Sequence, residues 1–428
     1  MRQGDDAGLA VEVDRPTTWL ALVTINTFAA VTAGVLPAIV AILVDHEHLA
    51  PIDAGHISSL YSVGGVLAGL SGLLWVRRFD RRVMLAVVIV LGLCADLSAV
   101  VLQGYALIGA GRFVAGFAGS SAIIIVNSTI ALSRHSERLF GLVLTSQSLL
   151  AAALFFALPR LAWEAAGLFS MLAAFWVVIL PLAFLVPGFP ESATSRGTAG
   201  ERSEGRALLR SSVGLLVLAF LSFYVATGAL WTFVYLIGEW HGISSTAVGS
   251  AMSLAMLAAI VGGSTVTALG KRYGRSRPLI AALVANVAFT AILLTPTGVG
   301  VYTLAVCATN LLFTFSLALF LTLLGDEDPQ GRLLSVANMV IFGGLALGPW
   351  LFGPSTEGGS YRALLVGTVV LFAVSPALLC LRSLPRGRSG DSVAPLPEPT
   401  TGLTPPSAGS GGGGRRRPRR SRCRRRAR

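Results

Sequence analysis

The sequence predicts an all-α membrane protein with twelve transmembrane helices, and three observations support this fold class. Long apolar stretches with almost no charge follow one another from residue 18 to residue 384. Each stretch is close to the roughly 20 residues that a helix needs to cross a bilayer core about 30 Å thick. The stretches also lack the in-out alternation of barrel strands, so helices must satisfy the backbone hydrogen bonds in lipid.

The predicted spans are numbered in chain order. They cover residues 18–44, 55–76, 83–102, 105–132, 139–160, 165–187, 211–238, 247–269, 278–296, 299–324, 333–353 and 361–384. The loops after spans 2, 4, 6 and 8 carry clusters of arginine or lysine, whereas those after spans 1, 3, 7 and 9 carry none. The positive-inside rule therefore predicts a multi-pass plasma-membrane protein with both termini in the cytoplasm.

Composition and charge exclude several other classes of protein. The chain is 54% hydrophobic and 13% charged, which lies outside the usual range of soluble domains. It contains no phosphate-cradling Gly-Lys loop and no catalytic constellation of a soluble enzyme, so we expect neither enzymatic activity nor a cofactor or metal. Cys94, Cys307 and Cys380 fall in predicted spans and Cys423 in the tail, which argues against a disulfide framework.

The sequence also predicts the order of domains. They are a cytoplasmic segment 1–17, a first six-helix bundle 18–187, a cytoplasmic central loop 188–210, a second six-helix bundle 211–384 and a tail 385–428. The tail holds twelve arginines against Asp391 and Glu398, so it supplies +10 of the net charge of +12. We predict a disordered tail that rests on anionic lipid, and no nucleic-acid binding, because no folded basic module stands beside it.

The two bundles repeat each other at a constant offset of 194 residues (271 − 77 = 194). The matched pairs are Arg77 and Lys271, Arg78 and Arg272, Arg81 and Arg275, Arg138 and Arg332, Asp45 and Glu239, Gly34 and Gly228, and Gly55 and Gly249. Charge matches are hard to obtain by chance in so apolar a chain. The repeat therefore predicts two pseudo-symmetric six-helix bundles, with a transport site between them at mid-membrane.

The segments Gly72–Arg82 and Arg112–Gly119 resemble sequence motifs of the major facilitator superfamily. The segment from Gly72 to Arg82 resembles the superfamily's loop motif between spans 2 and 3, although Val76 stands at the motif's acidic position. The residues that match are Gly72, Arg78, Arg81 and Arg82, and Asp80 stands where the motif has glycine. A fainter copy in the second half has Arg272, Gly274 and Arg275 in register. The segment Arg112–Gly119 is similar to the span 4 motif, and Gly34–Gly55 is similar to the drug:proton antiporter and sugar-efflux branch.

The resemblance implies that the loop motif gates the cytoplasmic side by contacting the facing half. The alternative is that its arginines only fix the topology. The Gly/Pro-rich motif that antiporters of the superfamily carry in span 5 is missing here, and a similar segment, Gly343–Gly353, occurs in span 11. This departure weakens the prediction of antiport.

Two charged residues within predicted spans, Asp96 and Arg112, lie at a similar depth in spans 3 and 4. An unpaired arginine inside a bilayer costs at least about 2.5–3.5 kcal/mol, so we expect a partner or a water-filled cavity. The two residues could couple proton movement to transport, form a structural ion pair, or never meet. Asp96 is the only acidic residue in a span interior that could carry a coupled proton.

Polar and aromatic side chains in the spans are candidates for a substrate site. Tyr224, Thr227, Trp231 and Tyr235 share one face of span 7 at helical spacing. Amides in other spans complete the predicted set, namely Asn26, Asn127, Gln147, Asn310 and Asn338. Each could instead hold helices together. The resemblance further implies that spans 1, 4, 7 and 10 face the transport path.

We predict a monomeric secondary transporter that exports a small neutral or amphipathic organic compound by alternating access, with proton coupling as an option. Aromatic and amide groups without fixed charge suit such a compound better than a phosphate or dicarboxylate. The alternatives are a proton-independent facilitator, a sugar exporter, or a transporter-like membrane sensor.

Overall fold

A computed structural model describes residues 13–75, 79–101, 104–161, 165–188, 211–269, 274–327 and 332–383. Its regular elements are helices, and one stands at every predicted span. Spans 2 to 5 are the helices Pro51–Trp75, Arg81–Val101, Tyr105–Ile130 and Ser136–Leu161. Span 6 is Ala165–Ile179, extended by the 3₁₀ helix Pro181–Leu185. Spans 7 to 12 are Ser211–Trp240, Ser245–Leu269, Ser276–Ile292, Val299–Glu327, Arg332–Phe352 and Arg362–Ser383, and the 3₁₀ helix Gly353–Thr356 follows span 11.

Span 1, predicted as a single span over residues 18–44, consists of two helices, Pro16–Gly34 and Leu36–Asp45. Between them Val35 leaves the helical conformation, with φ −105° and ψ 13°. Pro37 explains the break, because it has no N–H to donate to the carbonyl of Ala33 one turn earlier. The break therefore leaves a carbonyl group of span 1 available to another partner.

Most of the helices have the length and composition of membrane spans. Ten of those that the structure describes are long and apolar enough to cross a bilayer. Of the others, Pro51–Trp75 carries polar residues in its first turns and Ser276–Ile292 has 17 residues, while Leu36–Asp45 completes span 1. Large apolar side chains such as Val87 and Val90 of span 3 and Val366 and Val370 of span 12 are exposed, as expected for surfaces that face lipid.

The same helix packing occurs twice, which gives the chain two pseudo-symmetric halves of six spans. Spans 2 and 4, 3 and 4, 3 and 6, and 1 and 5 pack together, as do spans 8 and 10, 9 and 10, 9 and 12, and 7 and 11. Equivalent contacts obey the predicted repeat. A Cβ atom on Gly34 would lie 3.4 Å from Cβ of Ala151, and one on Gly228 would lie 2.8 Å from Cα of Leu345 (228 − 34 = 345 − 151 = 194).

Glycines in both halves allow two helix backbones to come close together. In the first half, a Cβ atom on Gly116 of span 4 would lie 1.9 Å from the carbonyl oxygen of Tyr61 in span 2. In the second, a Cβ atom on Gly262 of span 8 would lie 2.2 Å from the carbonyl oxygen of Leu311 in span 10. The span 4 motif that the sequence analysis identified thus includes a close-packing site.

The halves meet along two main seams. Span 2 packs against span 11, and span 5 packs against span 8. The helix Leu36–Asp45 of span 1 adds a contact with span 7. We call the end of the bundle that carries Arg82, Arg138 and Arg275 the basic end, and the other end the opposite end.

Candidate functional site

A cavity of about 360 Å³ lies between the two halves. Spans 1, 2 and 5 form its wall on the first half, and spans 7 to 12 form its wall on the second. Its polar lining residues are Tyr61, Ser62, Gln147, Ser148, Thr227, Trp231, Thr232, Asn286, Thr309, Asn310 and Thr314. Among the residues for which side chains are described, no lining residue carries a charge.

Four of the predicted substrate-binding residues line this cavity: Gln147, Thr227, Trp231 and Asn310. Thr227 and Trp231 lie one turn apart on span 7, and Asn310 faces the cavity from span 10. Hydrogen bonds within the helices already hold two of these groups, because Thr227 Oγ1 donates to the carbonyl of Phe223 at 2.8 Å and Asn310 Nδ2 donates to that of Val306 at 3.1 Å. The aromatic face of span 7 therefore contributes its central part to the cavity.

Three other predicted residues lie outside the cavity lining. Tyr224 shares the predicted face of span 7, but Gly344 of span 11 lies against its Cβ atom and aromatic rings cover its own ring. The hydroxyl of Tyr235 donates to the carbonyl of Ser245 at 2.9 Å, which directs it toward the start of span 8. Asn338 of span 11 is exposed. Helical spacing identified the face correctly, but neighbouring helices decide how much of it is open.

Asn26 and Asn127 reach the cavity through Gln147. Gln147 Nε2 donates to Asn26 Oδ1 at 2.7 Å, and Asn26 Nδ2 donates to Asn127 Oδ1 at 2.8 Å. Asn26 is buried, with 1% of its surface exposed, so the pair supports Gln147 from behind. This network of three amides joins spans 1, 4 and 5 and fixes the orientation of Gln147, its member that lines the cavity.

The resemblance implied that span 4 faces the path, but the described lining residues come from other spans, and Asn127 stands behind the wall. The sequence analysis also missed Asn286 of span 9, which lines the cavity and accepts a hydrogen bond from Thr290 Oγ1 at 3.4 Å. Its signal in the sequence was an amide in an apolar span. The expectation that spans 1, 4, 7 and 10 face the transport path excluded span 9 from the candidates.

Contacts between the halves cover the cavity on the side of the opposite end. Trp231 Nε1 donates to the carbonyl of Ala33, the group left without a helix partner by Pro37, at 3.3 Å. The Trp231 ring also meets the Phe155 ring edge to face, with 6.2 Å between centroids. Nearer that end, the hydroxyls of Ser58 and Thr232 share a hydrogen bond of 3.1 Å. Spans 1, 2, 5 and 7 thus close this side of the cavity together.

Glycines from both copies of the repeat lie in this closed region. A Cβ atom on Gly55 would lie 2.6 Å from the Phe233 ring, and one on Gly249 would lie 2.4 Å from the carbonyl oxygen of Phe155. Each contact crosses from one half to the other. The matched glycines of the sequence repeat therefore allow the halves to approach closely at the opposite end.

Asp96 and Arg112 form a buried ion pair within the first half. Arg112 Nη2 contacts Asp96 Oδ1, and the two side chains have 1% and 0% of their surface exposed. Trp176 Nε1 donates to the second carboxylate oxygen at 2.7 Å, and the Arg112 guanidinium lies 4.6 Å from the centre of the Phe169 ring. The pair joins spans 3, 4 and 6. Neither residue is part of the cavity lining.

The loop motif makes contacts within its own half. Asp80 Oδ1 accepts the backbone N–H of Arg82 at 2.8 Å and caps the start of span 3. Arg82 Nε donates to the carbonyl of Val186, after span 6, at 2.5 Å. Gly72 and Arg81 are buried, whereas Arg78 and Arg272 lie outside the described residues. The described contacts of Asp80 and Arg82 thus join span 3 to the end of span 6, so contact with the facing half stays a prediction.

The corresponding region of the second half also forms contacts within its half. Arg275 pairs with Asp326 at the end of span 10, and Arg382 of span 12 pairs with Glu327 beside it. Gly274, with φ 69°, adopts the left-handed conformation that glycine tolerates best. These ion pairs are partly exposed and contribute about 0–1 kcal/mol each.

Two pseudo-symmetric bundles of six helices around a central cavity define the class of secondary membrane transporters. The sequence profile of the Major Facilitator Superfamily matches residues 20–349, and the chain belongs to this superfamily. No curated protein matches the chain's sequence.

Solved structures of transporters have the same fold. A variant of the nucleoside transporter NupG superposes with a TM-score of 0.72 at 12% identity, over 86% of this chain and 99% of that one. A D-xylose-proton symporter superposes with a TM-score of 0.69 at 14% identity, over 85% and 96% of the two chains. At these identities the likeness establishes the fold alone.

Proposed function

We propose that this transporter exports a small neutral or amphipathic organic compound across the plasma membrane by alternating access. The observation that carries the proposal is the cavity of about 360 Å³ between the halves, whose described lining bears no charged side chain. A charged substrate would lose its hydration there without gaining a counter-charge, which is costly in an apolar site. Mixed apolar, aromatic and amide groups are typical of sites for small uncharged molecules.

Alternating access is supported by where the halves touch. The contacts of Trp231 with Ala33 and of Ser58 with Thr232 cover one side of the cavity and are single hydrogen bonds that relative motion of the halves can break. Arginines at the basic end support a cytoplasmic location for that end and for both termini. The closed side then faces outward, and the proposed cycle opens it when the basic end closes.

The direction and the coupling of transport rest on less direct support. The resemblance of Gly34–Gly55 to the drug:proton antiporter and sugar-efflux branch favours export. NupG is a nucleoside transporter and the D-xylose transporter a proton symporter, so uptake is the main alternative. Proton coupling through Asp96 is the second proposal, supported by its position as the acid in the interior of the described spans. Its two hydrogen-bond partners, Arg112 and Trp176, and its absence from the described cavity lining favour a structural pair instead.

Uptake into sealed proteoliposomes tests the proposal. Radiolabelled neutral compounds are screened with and without a pH gradient, using protein inserted in known orientation. Saturable movement of an uncharged compound supports transport. Movement confined to charged compounds contradicts the proposed substrate class. Ligand binding without movement contradicts transport and favours a membrane sensor.

The Asp96→Asn variant then separates coupling from structure. Loss of gradient dependence with retained downhill transport supports coupling through Asp96. Unchanged dependence on the pH gradient contradicts it. If the pH gradient has no effect on transport by the unmodified protein either, the protein is a proton-independent facilitator. Asp326→Asn, which alters an exposed ion pair of the second half, is the matched control.

A further inference from the structure

The cavity offers few free hydrogen-bonding groups, although many of its lining residues are polar. The hydroxyls of Thr309 and Thr314 donate to the carbonyls of Val306 at 3.0 Å and Ala259 at 2.8 Å. Thr227 donates to its own helix, and Thr232 bonds to Ser58. The hydroxyl protons of Thr227, Thr309 and Thr314 are therefore committed to helix carbonyls, and the hydroxyl of Thr232 is engaged with the opposite half.

The amides of Gln147, Asn286 and Asn310 keep hydrogen-bonding groups for a substrate, and Tyr61 and Ser148 add hydroxyls to the lining. Gln147 uses Nε2 on Asn26 and leaves its carbonyl oxygen for the cavity. Asn310 uses Nδ2 on Val306 and likewise leaves its carbonyl oxygen, whereas Asn286 accepts from Thr290 and leaves its amide N–H groups. Acceptors and donors thus face one space from both halves, with Gln147 on the first half and the two asparagines on the second.

The remaining wall is largely apolar and aromatic. Trp231, Phe313, Phe342 and Phe372 line the cavity from the second half, and Tyr61 lines it from the first. Aromatic side chains stack well on flat rings. The cavity therefore combines faces for a planar ring with amide groups for its edge.

This combination separates two kinds of uncharged substrate. A polyol such as a sugar carries a hydroxyl on nearly every carbon, and each one that loses water needs a new partner. A polyol needs both a donor and an acceptor for each of these hydroxyls, and a largely apolar wall with three amides and the hydroxyls of Tyr61 and Ser148 supplies few of them. A planar ring with two or three hydrogen-bonding groups matches the number of free amides and places its faces on the aromatic wall.

We infer that the cavity binds an uncharged heteroaromatic compound whose ring edge carries adjacent hydrogen-bond donors and acceptors, with Gln147 and Asn310 as the residues that recognise this edge. The inference rests on the proposed transport of a neutral compound and narrows its substrate class. It disfavours the sugar-exporter alternative.

Binding to purified protein in lipid nanodiscs tests the inference with four probes. Uracil represents the proposed class, D-xylose a polyol, anisole a ring without donors, and tetraphenylphosphonium an aromatic cation. We expect uracil to bind about tenfold more tightly than D-xylose, because each sugar hydroxyl left without a partner in the cavity costs a factor of about ten. Tighter binding of D-xylose or tetraphenylphosphonium than of uracil overturns the inference.

The variants Gln147→Met and Asn310→Leu identify the recognising groups. Each is expected to weaken uracil binding about tenfold and to change anisole binding less than twofold, since only the hydrogen bonds are lost. Ser170→Ala, at an exposed position on span 6, which contributes no residue to the described cavity lining, is the control. Unchanged uracil affinity in both folded variants overturns the assignment. If one variant does not fold, as judged by its melting curve, the other decides.

Uptake in sealed vesicles from the same preparation separates this inference from the proposed function. Uracil binding without uptake of any neutral probe leaves the ligand class intact and contradicts transport. Uptake of D-xylose but not uracil leaves transport intact and overturns the ligand class.

Discussion

The two halves share their helix packing but differ in what they bury. The first half contains the ion pair of Asp96 and Arg112 and the amide network of Asn26, Asn127 and Gln147. The second half has Thr290 and Val306 at the positions of the ion pair (290 − 96 = 306 − 112 = 194), and Phe220, Leu321 and Ile341 at those of the amides. One scaffold therefore supports both a polar and an apolar interior.

The second half buries a cluster of aromatic rings around Phe223. Phe223 contacts the rings of Tyr224, Phe313, Phe320 and Phe372, with centroid distances of 5.7–6.0 Å. Ring contacts tolerate small displacements, whereas an ion pair requires its partner. The first half therefore depends on a few specific groups, and the second on the sum of many contacts.

The largest expected effect comes from breaking the ion pair. Arg112→Val leaves Asp96 buried without its counter-charge and is expected to lower the free energy of unfolding by about 3–5 kcal/mol. The double variant Asp96→Thr with Arg112→Val copies the residues of the second half and is expected to recover most of this loss. Thermal unfolding of the purified protein in detergent measures both.

The exposed pair of Arg275 and Asp326 provides the matched control for this experiment. Asp326→Asn is expected to change stability by at most about 1 kcal/mol, because 53% of that aspartate side chain is exposed. Equal losses in Arg112→Val and in the double variant would contradict the view that charge compensation, rather than packing, decides the effect.

An intermediate effect is expected where both halves use glycine in the same way. Gly262→Ala places a methyl group against the carbonyl oxygen of Leu311 and is expected to cost about 1–3 kcal/mol. Gly263→Ala, the next residue of the same helix, meets no atom within 4 Å and should be neutral or slightly stabilising. The difference in melting temperature between the two variants is the measurement, and equal melting temperatures would refute close packing of spans 8 and 10.

The smallest effect is expected from the aromatic cluster. Phe223→Leu removes ring contacts but keeps most of the apolar surface, so we expect a loss of about 0.5–1.5 kcal/mol. Phe184→Leu, at a position 63% exposed in the first half, should change stability by less than about 0.5 kcal/mol. Chemical unfolding in mixed micelles compares them. A loss as large as that of Arg112→Val would show that the second half also depends on single groups.

Hydropathy predicted the fold well because membrane helices must satisfy their own backbone and face lipid. All twelve predicted spans contain helices, and the superfamily that the motifs indicated is confirmed. The break in span 1 was missed even though Gly34 and Pro37 mark it, because a length criterion does not respond to one missing N–H group.

The site was predictable only in part. Residues near the middle of a polar face, such as Thr227 and Trp231, line the cavity. On the same face, span 11 covers Tyr224, and the hydroxyl of Tyr235 is directed toward span 8. Which turns of a face stay open depends on the neighbouring helices, and spacing within one helix does not encode it. The support of Gln147 by Asn26 likewise joins residues that are 121 positions apart.

Under the proposed alternating access, opening of the opposite end would place a specific chemical requirement on the carbonyl of Ala33. Pro37 deprives this oxygen of a donor in its own helix, and the indole N–H of Trp231 supplies one from the facing half. Separation of the halves at this end would break this hydrogen bond. Water or the transported compound must then form hydrogen bonds with both groups. A transported compound that offers a donor to the oxygen or an acceptor to the indole N–H would therefore lower the free energy of opening at this end.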